Sequence, residues 1–343
     1  MHVLVTGHTG FKGAWLTMML RARGWEVSGL ALDPEPGSLF EVADVGSLMT
    51  QDHRVDIRDA SAVTSVVQSV APDAVFHMAA QPLVRESYRD PRSTMETNVM
   101  GTFNVLEAIQ EEGSAQATVI VTTDKVYRNV NQVAGYVEDD ALGGHDPYSA
   151  SKAMADLLTQ SWVRSFGGPT TVIARAGNVI GGGDVSTDRL LPDLMRAFAA
   201  GEAAPIRYPA AVRPWQHVLD CLNGYLLLMD AALAASVTRD EWNFGPGPES
   251  FKTVAEVADA AAADWGGGAS WEDISDSDHP HEAELLALDA GAARASLGWN
   301  DRLSFSDSVN WTVSWHKNVL AGVTPRSACD EQLQLFATLG PDA

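Results

Sequence analysis

Cysteine is scarce in this chain: only Cys221 and Cys329 occur, far apart and in no CxxC spacing. The scarcity excludes a disulfide framework and a zinc site built on cysteine pairs, and it favours a reducing compartment such as the cytoplasm. Basic residues are also few, with 23 Lys and Arg against 45 Asp and Glu and a formal net charge of −22. Nucleic acid and anionic membranes would meet a repulsive field, so an anionic ligand would need a local basic pocket.

Long apolar runs are missing as well. No stretch approaches the length of a membrane span, and the sequence enters a strand pattern at once, without the basic region and apolar core of a signal peptide. We therefore expect a soluble cytoplasmic protein. Its 343 residues suit one large α/β domain, or a main domain that carries a smaller lobe.

Apolar runs alternate with helix-length amphipathic segments in the first half of the chain. The runs are HVLVTG, VSGLAL, DAVFHMAA, TVIVTT and TVIARA. This alternation predicts an α/β fold with a Rossmann-like, doubly wound parallel sheet. After Gly177 the pattern breaks into loops rich in Gly and Pro, which predicts a smaller C-terminal substrate-binding lobe. The predicted division is a cofactor domain at 1–176 to which 217–244 returns, a lobe at 177–216 and 245–320, and a tail at 321–343.

A glycine-rich turn, GHTGFKG, separates the first run from the first helical segment. Gly7, Gly10 and Gly13 would let the backbone approach a pyrophosphate closely at the N-terminus of a helix. The spacing is GxxGxxG rather than GxGxxG, so a plain tight turn is the alternative. Asp33 favours the nucleotide site, because an acidic side chain about 20 residues past the glycines can bind both ribose hydroxyls and repel a 2′-phosphate. The sequence therefore predicts NAD rather than NADP.

The position of Asp56, after the third predicted strand, suits an adenine contact, although a solvated loop aspartate fits the spacing equally well. The full predicted cofactor site comprises Gly7, Gly10, Phe11, Gly13, Asp33, Asp56, Ile57, Ala79, Ala80, Gln81, Tyr148 and Lys152.

A proton-handling set is predicted from the segment YSASK, which opens the helical stretch after the fifth run. Tyr148 and Lys152 are four residues apart, so they share a helix face on which the ammonium can lower the pKa of the phenol and reach the cofactor ribose. The YxxxK pattern is common by chance, and two ordinary surface residues are the alternative. Together with Thr123 at the end of the fifth run, the pair could deprotonate an alcohol while a nicotinamide accepts its hydride.

Several motifs together resemble one known family. GHTGFKG, HMAAQ, TNVMGT, TTDKVY, YSASK, RAGNVIGGGD and RPWQHVL are similar to segments of the extended short-chain dehydrogenase/reductase superfamily and, within it, of the nucleotide-sugar 4,6-dehydratases. The similarity runs from Met1 to Trp311–Trp315, includes PHEAELLALD and LGW, and ends near Ala321. The resemblance implies NAD as cofactor and a nucleotide sugar as substrate. It also implies a homodimer or a dimer of dimers that pairs through two long helices, 91–110 and 148–166.

The two residues after Thr123 distinguish the branches of this superfamily. Epimerases usually carry small, inert residues there, whereas dehydratases carry acid–base groups, typically Asp-Glu. Here the residues are Asp124 and Lys125, as in the CDP-glucose branch that the chain resembles. Loss of water across carbons 5 and 6 needs an acid for the departing hydroxyl and a base for the carbon 5 proton, which an epimerase does not need. A salt-bridged surface turn is the alternative.

The resemblance implies a redox-neutral cycle with one role for each side chain. Tyr148 as phenolate takes the proton of the carbon 4 hydroxyl, Thr123 orients that oxygen, and Asp124 protonates the carbon 6 hydroxyl as it leaves. The base that takes the carbon 5 proton stays open. Lys125 occupies its place but must be neutral to act, which needs burial or a cationic neighbour such as Arg128, where family members often carry Glu.

The scarce arginines are expected to bind the substrate diphosphate, because a guanidinium forms bidentate bonds to phosphate oxygens. Each could instead form a structural ion pair. The resemblance implies Arg189, Leu190 and Arg213 as pyrophosphate and nucleotide contacts, Arg207 near the base, and Asn178 and Asn243 near the sugar diphosphate. No metal is expected, because His217, His279 and His281 have no carboxylate or cysteine at ligand spacing.

Three other interpretations remain. A dehydratase acting on a different nucleotide sugar is one of them, and Lys125 counts against the dTDP-glucose and GDP-mannose enzymes, which resemble carriers of Asp-Glu. A nucleotide-sugar epimerase or reductase could use the same triad, and Asp124 and Lys125 count against it. A non-catalytic NAD-binding sensor or scaffold could share the fold, and the presence of Thr123, Tyr148 and Lys152 together counts against that.

Overall fold

A computed structural model describes residues 1–132, 134–275 and 286–340. The described strands are β1 (His2–Thr6), β2 (Glu26–Ala31), β3 (Gln51–Arg54), β4 (Ala74–His77), β5 (Ala117–Val121), β6 (Thr170–Ala176), β7 (Val179–Ile180), β8 (Ala204–Ile206), β9 (Val212–Pro214), β10 (Gln216–His217), β11 (Glu241–Phe244), β12 (Phe251–Thr253) and β13 (Trp271–Asp273). Seven of them form one sheet in the order β11-β6-β5-β4-β1-β2-β3. Every neighbouring pair in this sheet is parallel.

The described helices cover both faces of the sheet or build the smaller lobe. They are α1 (Phe11–Ala22), α2 (Leu39–Val42), α3 (Ala60–Val70), α4 (Val84–Arg89), α5 (Pro91–Met95), α6 (Gly101–Glu112), α7 (Pro147–Phe166), α8 (Leu190–Ala200), α9 (Val218–Leu233), α10 (Val254–Trp265), α11 (Gly291–Leu297), α12 (Phe305–Leu320) and α13 (Pro325–Thr338). None of these helices combines the length and the apolar character that a membrane crossing requires.

The predicted doubly wound parallel sheet is confirmed. Its central strands β4 and β5 are buried at every position, as expected when helices cover both faces of a parallel sheet. On one face α1 and α9 share a core with the sheet, and on the other α3 and α6 do so. The continuous apolar runs that predicted the strands are thus explained by burial on both sides.

The sheet includes a strand from far along the chain. β11 pairs with β6, with Trp242 opposite Ala174 and Phe244 opposite Ala176. The preceding α9 contributes its buried face to the main core. The segment 217–244 therefore packs on the sheet formed by the first half of the chain.

A smaller lobe stands beside the sheet, where α8, α10 and α12 pack around one apolar cluster. Leu191, Met195, Phe198, Val257 and Val313 are among its buried members. Three two-stranded pairs, β7 with β10, β8 with β13 and β9 with β12, connect its loops. These short pairs hold the segments that follow β6 against the carboxyl end of the sheet.

The C-terminal segment predicted as a tail contains α13, which packs on the main core. Cys329 and Phe336 are buried in that core, and the indole nitrogen of Trp315 donates to Cys329 Sγ at 3.3 Å. The guanidinium of Arg326 donates to the backbone oxygen of Ala43 at 2.8 Å. This part of the chain is therefore attached to the core of the main sheet.

The segment 91–110, which was predicted to be one long helix that pairs two subunits, has three parts. α5 is followed by a π-helical segment, Glu96–Met100, before α6 continues to Glu112. Asn98 lies in the π-helical turn, fully buried. A π-helical turn inserts one extra residue and redirects side chains, and such turns are frequent at functional sites.

Candidate active site

The predicted site residues gather where the strands of the main sheet end. In the sheet, β1 lies between β4 and β2. Strands β2 and β3 extend the sheet on one side of β1, whereas β4, β5 and β6 extend it on the other side, so the strand order reverses at β1. Ligands of open parallel sheets bind at such a switch point, outside the carboxyl ends of the strands. The loops after β1, β4, β5 and β6 carry most of the residues selected from the sequence.

The glycine turn after β1 is shaped by close backbone contacts. Gly7 has φ +74, and a Cβ there would lie 2.8 Å from the backbone nitrogen of Ala79. A Cβ on Gly13 would lie 2.2 Å from the Gly7 oxygen. Both positions therefore exclude a side chain, because the loops after β1 and β4 approach each other and α1 packs against the turn.

The N-terminus of α1 is open to a ligand. Gly10 is its N-cap and has no side-chain capping bond, so the first N–H groups of the helix keep their positive partial charge. A Cβ on Gly10 would meet only the Gly7 oxygen, at 3.4 Å. Phe11 lies beside Gly181, which directly follows β7. These residues fit a pyrophosphate, which needs backbone donors and close approach.

Asp33 lies past the end of β2, with a side chain that is 89 % exposed. The guanidinium Nε of Arg54 lies 3.8 Å from its Oδ1, and Arg54 also donates to Asp52 at 2.7 Å. Arg54 stacks over the ring of Phe40 at 5.0 Å. The carboxylate thus has a cation beside it, which the local sequence around Asp33 did not indicate.

The remaining cofactor candidates lie in the loops after β3 and β4, and the first of these loops contains Asp56 and Ile57. Asp56 accepts from the guanidinium of Arg58, which holds the pKa of its carboxyl below the usual range. Ile57 is buried, and its carbonyl accepts from Asn104 at 2.8 Å. Asp56 therefore forms a local ion pair at the edge of the loop after β3.

The loop after β4 contains Ala79, Ala80 and Gln81, and it is bound to the π-helical turn. The backbone nitrogen of Gln81 donates to the Asn98 side chain at 2.8 Å, and Asn98 donates in turn to Ser151 on α7 at 2.8 Å. Asn98 thereby connects the cofactor loop with the helix that carries the predicted tyrosine and lysine. Asn98 is not among the site residues predicted from the sequence, although it belongs to the motif TNVMGT.

Thr123, Asp124 and Tyr148 are buried where β5 ends and α7 begins. Thr123 Oγ1 donates to Asp124 Oδ1 at 2.8 Å. Burial raises the pKa of Tyr148 to about 12, and Thr123 opposes that rise. The structure thus places the predicted orienting hydroxyl in direct contact with the predicted acid.

Burial dominates the pKa of both Lys152 and Tyr148 in this arrangement. The ammonium of Lys152 donates to the Val121 carbonyl at 2.8 Å. Burial lowers the pKa of Lys152 to about 8, against the effect of Asp156 one helical turn further on, while the pKa of Tyr148 is raised. In each group burial penalises the charged form, the ammonium of Lys152 and the phenolate of Tyr148. An ammonium has three N–H donors, and the Val121 bond uses one.

Asp124 and Lys125 lie in a short 3₁₀ turn, Asp124–Val126, that Thr123 caps. Asp124 is buried, whereas Lys125 is partly exposed. A Cβ on Gly177 would lie 3.2 Å from Asp124 Oδ2, so a side chain at that position would crowd the carboxylate. The expected neighbour Arg128 is exposed.

A cluster of arginines stands where the main domain meets the lobe. Arg85 and Arg207 both donate to Asp188, at 3.0 and 3.2 Å. Arg189, the N-cap of α8, donates to Asp184 at 3.2 Å. The positive charge of Arg189 also lowers the pKa of Tyr148, in opposition to burial, which raises it. A locally basic region therefore adjoins the phenol in an otherwise acidic molecule, and Arg85 was not selected from the sequence.

The other predicted substrate residues lie around this region. Leu190 begins α8, and Asn178 lies between β6 and β7. Arg213 is on β9, where Nη1 donates to the Val212 carbonyl at 2.7 Å and the residue pairs with Lys252 of β12. Asn178, Leu190 and Arg213 therefore all lie on segments that follow β6.

Asn243 is placed differently from the other predicted substrate residues. It is fully buried on β11, its Oδ1 accepts from Tyr127 at 2.7 Å, and its amide donates to the Tyr136 carbonyl at 2.8 Å. Arg175 donates to the same Tyr127 hydroxyl at 2.8 Å. The side chain therefore belongs to an internal polar network and does not face the arginine cluster.

The histidines considered as metal ligands have other surroundings. His217 is fully buried, caps α9 through Nδ1 and contacts the ring of Trp311. His279 and His281 lie outside the described residues. Within the described ranges no three His, Cys, Asp or Glu side chains form a group that could hold a metal ion.

Comparison with known proteins decides the family. A sequence profile of the family described as GDP-mannose 4,6 dehydratase matches residues 4–312. The chain belongs to this family. It is 44 % identical to the CDP-glucose 4,6-dehydratase of Salmonella typhimurium over 93 % of this chain and 91 % of that protein. It is 28 % identical to dTDP-glucose 4,6-dehydratase 1 of Escherichia coli over 92 % of each chain. The predicted membership of the nucleotide-sugar 4,6-dehydratases is confirmed.

Solved structures share the fold across more than one activity. UDP-glucose 4-epimerase of Thermus thermophilus, in complex with NAD, has a TM-score of 0.79 at 25 % identity over 92 % of this chain and 99 % of that one. dTDP-glucose 4,6-dehydratase of Bacillus anthracis, also with NAD, has a TM-score of 0.78 at 22 % identity over 93 % and 97 %. Fold alone therefore does not separate dehydratase from epimerase, and the residues after β5 must do so.

Proposed function

We propose that the chain catalyses the NAD-dependent dehydration of a nucleotide-activated hexose, converting CDP-glucose to CDP-4-keto-6-deoxyglucose. The observation that carries this proposal is the hydrogen bond from Thr123 to the buried carboxyl of Asp124, which is followed directly by Lys125. Oxidation of carbon 4 alone needs only Tyr148 and Thr123. The buried carboxyl beside Thr123 supplies the acid that an elimination requires. The 44 % identity to the Salmonella typhimurium enzyme supports CDP-glucose as the substrate.

NAD is the proposed cofactor, held by the residues selected from the sequence. The uncapped start of α1 and the turn at Gly7, Gly10 and Gly13 suit its pyrophosphate, and Asp33 suits the ribose hydroxyls. When bound, NAD would supply the acceptor for the carbon 4 hydride and the donor of that hydride to carbon 6. Because the net reaction consumes no reductant, we expect tightly held NAD to be recycled in each turnover.

The protein groups make four proton transfers in this scheme. Tyr148 takes the proton of the carbon 4 hydroxyl, which Thr123 orients. Asp124 gives a proton to the carbon 6 hydroxyl, which leaves as water. Lys125, which is partly exposed, is proposed to take the carbon 5 proton that the new ketone acidifies and to return a proton to carbon 5 when the hydride reaches carbon 6.

Lys152 is proposed to stabilise the phenolate form of Tyr148 and to bind the cofactor ribose. Its place one helical turn along α7 supports this role, as does its lowered pKa of about 8, which keeps an ammonium available at neutral pH. The bond to the Val121 carbonyl fixes the direction of the side chain.

The substrate diphosphate is proposed to bind at the arginine cluster. Arg189, Arg207 and Arg213 supply the positive charge that the chain of net charge −22 otherwise lacks. Asp188 holds Arg207 beside Arg85, so we add Arg85 to the contacts expected from the sequence. Asn178 and Leu190 complete the proposed set, whereas the internal bonds of Asn243 suit a supporting role behind the site.

Residues 1–176 with 217–244 are proposed as the cofactor domain, and 177–216 with 245–320 as the substrate lobe. The separate apolar clusters of the sheet and of α8, α10 and α12 support this division. A cytoplasmic location is proposed from the free, buried thiols of Cys221 and Cys329.

A homodimer, or a dimer of dimers, is proposed to form through α7 and the segment 91–112. Met154, Leu157 and Phe166 of α7 are large apolar side chains left exposed, as is Met100 of the neighbouring segment. Such a patch on paired helices favours a subunit interface. Leu157→Glu should convert the oligomer to monomer in light scattering, whereas Leu335→Glu on the exposed side of α13 should not.

One experiment tests the proposed function. The purified protein is incubated separately with CDP-, dTDP-, UDP- and GDP-hexoses, and products are identified by mass and NMR. We expect loss of water from CDP-glucose and a 6-deoxy-4-keto sugar. A product of unchanged mass inverted at carbon 4 would establish an epimerase instead. Release of reduced cofactor in proportion to product would contradict the recycling of NAD.

A further inference from the structure

Asp188 joins two arginines that come from different parts of the chain. Its Oδ1 accepts from Arg85 Nη1 at 3.0 Å and from Arg207 Nη2 at 3.2 Å. Arg85 lies on α4, in the segment that follows β4, whereas Arg207 directly follows β8 of the smaller lobe. A single carboxylate oxygen therefore holds the two guanidiniums close together across the boundary between the main sheet and the lobe.

The backbone at Asp188 has an uncommon conformation. Its φ is +60°, in the left-handed region that aspartate, asparagine and glycine enter more readily than other residues do. The loop around it is held by Asp184, which accepts from the Ser186 N–H at 3.0 Å and from Arg189 at 3.2 Å. Left-handed residues other than glycine persist where the surrounding structure determines them, and they cluster at ligand-binding sites.

The helix that carries Arg85 is attached to the proposed base. The Ser87 hydroxyl accepts from the backbone N–H of Tyr148 at 3.1 Å and donates to the Val84 carbonyl at 2.6 Å. Ser87 is fully buried, so this bond holds α4 against the start of α7. The position of Arg85 is therefore fixed relative to Tyr148, and Asp188 extends that constraint to Arg207 in the lobe.

Both guanidiniums keep donors for a ligand. A guanidinium has five N–H donors, and Arg85 and Arg207 each give one of them to Asp188. The two arginine side chains are 44 % and 30 % exposed, so a ligand from solvent can reach them. A diphosphate has several anionic oxygens, to which planar guanidiniums bind in pairs of hydrogen bonds.

We propose that Asp188 is a positioning residue for the substrate diphosphate. It acts through Arg85 and Arg207, which it holds close enough together to bind the same diphosphate. Because α4 is bonded to Tyr148, a diphosphate held there is fixed relative to the phenol that takes the carbon 4 proton. This inference rests on the proposed function for the identity of the substrate.

Two substitutions separate the position of the arginines from the charge of Asp188. A carboxylate near a diphosphate also repels it, so loss of the charge alone should strengthen binding. Asp188→Asn removes the charge but keeps an oxygen that can accept from both arginines, and asparagine tolerates the left-handed backbone. Asp188→Gly removes the oxygen as well and adopts the same φ without strain.

The binding of CDP and of CMP, measured by calorimetry, isolates the contribution of the second phosphate. The wild type should bind CDP more tightly than CMP. In Asp188→Gly the CDP affinity should fall about tenfold, the equivalent of one charge-assisted hydrogen bond, while the CMP affinity changes little. Asp188→Asn should keep the wild-type ratio of the two affinities. NAD affinity should be the same in all three proteins, whereas a general loosening of the fold would lower it.

Two further variants serve as controls. Glu86→Gln removes a negative charge from the same helix as Arg85, where Glu86 pairs with Arg89 at 3.3 Å, and it should leave the ratio of CDP to CMP affinity unchanged. Arg85→Ala should lower the CDP affinity. Combined with Asp188→Gly, it should lose less than the sum of the two single effects, because both changes disrupt one arrangement.

Three results would overturn the role of Asp188. The first is an Asp188→Gly protein that keeps the wild-type ratio of CDP to CMP affinity. The second is tighter CDP binding in both Asp188 variants, because the carboxylate would then only repel the ligand. The third is a Glu86→Gln protein that loses as much as Asp188→Gly.

The product assay tests the proposed function separately. A wild type that prefers CDP to CMP through Asp188 but forms no 6-deoxy-4-keto product contradicts the dehydratase function and leaves the positioning role intact. Normal product, together with an Asp188→Gly protein of unchanged affinity ratio, contradicts the positioning role alone.

Discussion

Asp156 and Arg175 form a doubly bonded ion pair in the interior: Nε donates to Oδ2 at 2.8 Å and Nη2 donates to Oδ1 at 2.7 Å. The two side chains are 0 % and 1 % exposed. Asp156 also accepts from Thr122 and lies one helical turn after Lys152 on α7. The pair thus fixes α7, β5 and β6 relative to one another directly behind the proposed active site.

Removing one member of this pair should destabilise the fold strongly. Asp156→Ala leaves the Arg175 guanidinium buried without its carboxylate, and the loss of one partner of a buried pair costs about 3–5 kcal/mol. Urea unfolding at pH 7 measures the change. The matched control is Asp139→Ala, which removes an 87 % exposed carboxylate from Arg239 and should cost at most about 1 kcal/mol. Equal losses in the two variants would contradict the assigned role of the buried pair.

His217 should make stability depend on pH. Burial lowers the pKa of its imidazole from 6.5 to about 3 in the folded chain. Between these values the unfolded chain binds a proton that the folded chain does not, so stability falls as the pH is lowered. Each such histidine contributes a slope of up to about 1.4 kcal/mol per pH unit.

His217→Asn isolates that contribution. Asparagine keeps a side-chain acceptor at the N-cap of α9, where His217 Nδ1 accepts from Leu219, and it does not titrate. Free energies of unfolding measured from pH 7 to pH 5 should fall less steeply in this variant than in the wild type. Because other buried histidines are unchanged, the difference in slope belongs to His217. Parallel pH profiles would show that the imidazole is protonated inside the fold.

Asp33 should control the choice between NAD and NADP. Asp33→Ala removes the charge that repels a 2′-phosphate and leaves Arg54, now 3.8 Å from the carboxylate, free to bind it. The ratio of NADP to NAD affinity, measured by calorimetry, should rise. Adding Arg54→Ala to the same protein should cancel most of that rise. A ratio that Asp33→Ala leaves unchanged would rule out Asp33 as the ribose ligand.

Short sequence motifs predicted those parts of the site whose residues are close together in the chain. Gly7, Gly10 and Gly13 were recognised because they share one short turn between a strand pattern and a helix pattern, and Tyr148 and Lys152 because residues four apart share a helix face. Contacts between distant segments left no such signal. Arg54 beside Asp33 and Arg85 beside Asp188 are brought together only by the fold.

Burial explains where the sequence analysis differed from the structure. Asn243 was expected near the substrate because the family resemblance implied it, but β11 adds to the edge of the sheet and the Asn243 side chain joins an internal hydrogen-bond network. The pKa of Tyr148 was expected to be lowered by Lys152, but desolvation acts on both groups. Neither effect can be judged without knowing which side chains the core encloses.

Lys125 should govern the exchange of the carbon 5 proton. Lys125→Met removes the amine and keeps most of the apolar stem, so incorporation of solvent deuterium at carbon 5 should slow markedly if lysine is the base. Lys317→Met serves as the control and should not change the exchange. It removes a lysine of α12 whose ammonium donates to the Asp264 carbonyl on α10. Exchange at the wild-type rate in Lys125→Met would assign the base to another group.

The separation of oxidation from elimination is the central claim, and Asp124→Asn tests it most directly. An amide cannot supply the proton that the carbon 6 hydroxyl needs, so this variant should oxidise carbon 4 and then stall. After addition of CDP-glucose, the absorbance of reduced nicotinamide should persist on the protein while no 6-deoxy product forms. Tyr148→Phe, which blocks the first step, should show neither the absorbance nor product. Turnover of Asp124→Asn near the wild-type rate would contradict the acid role of Asp124, and with it the structural reason for assigning a dehydratase rather than an epimerase.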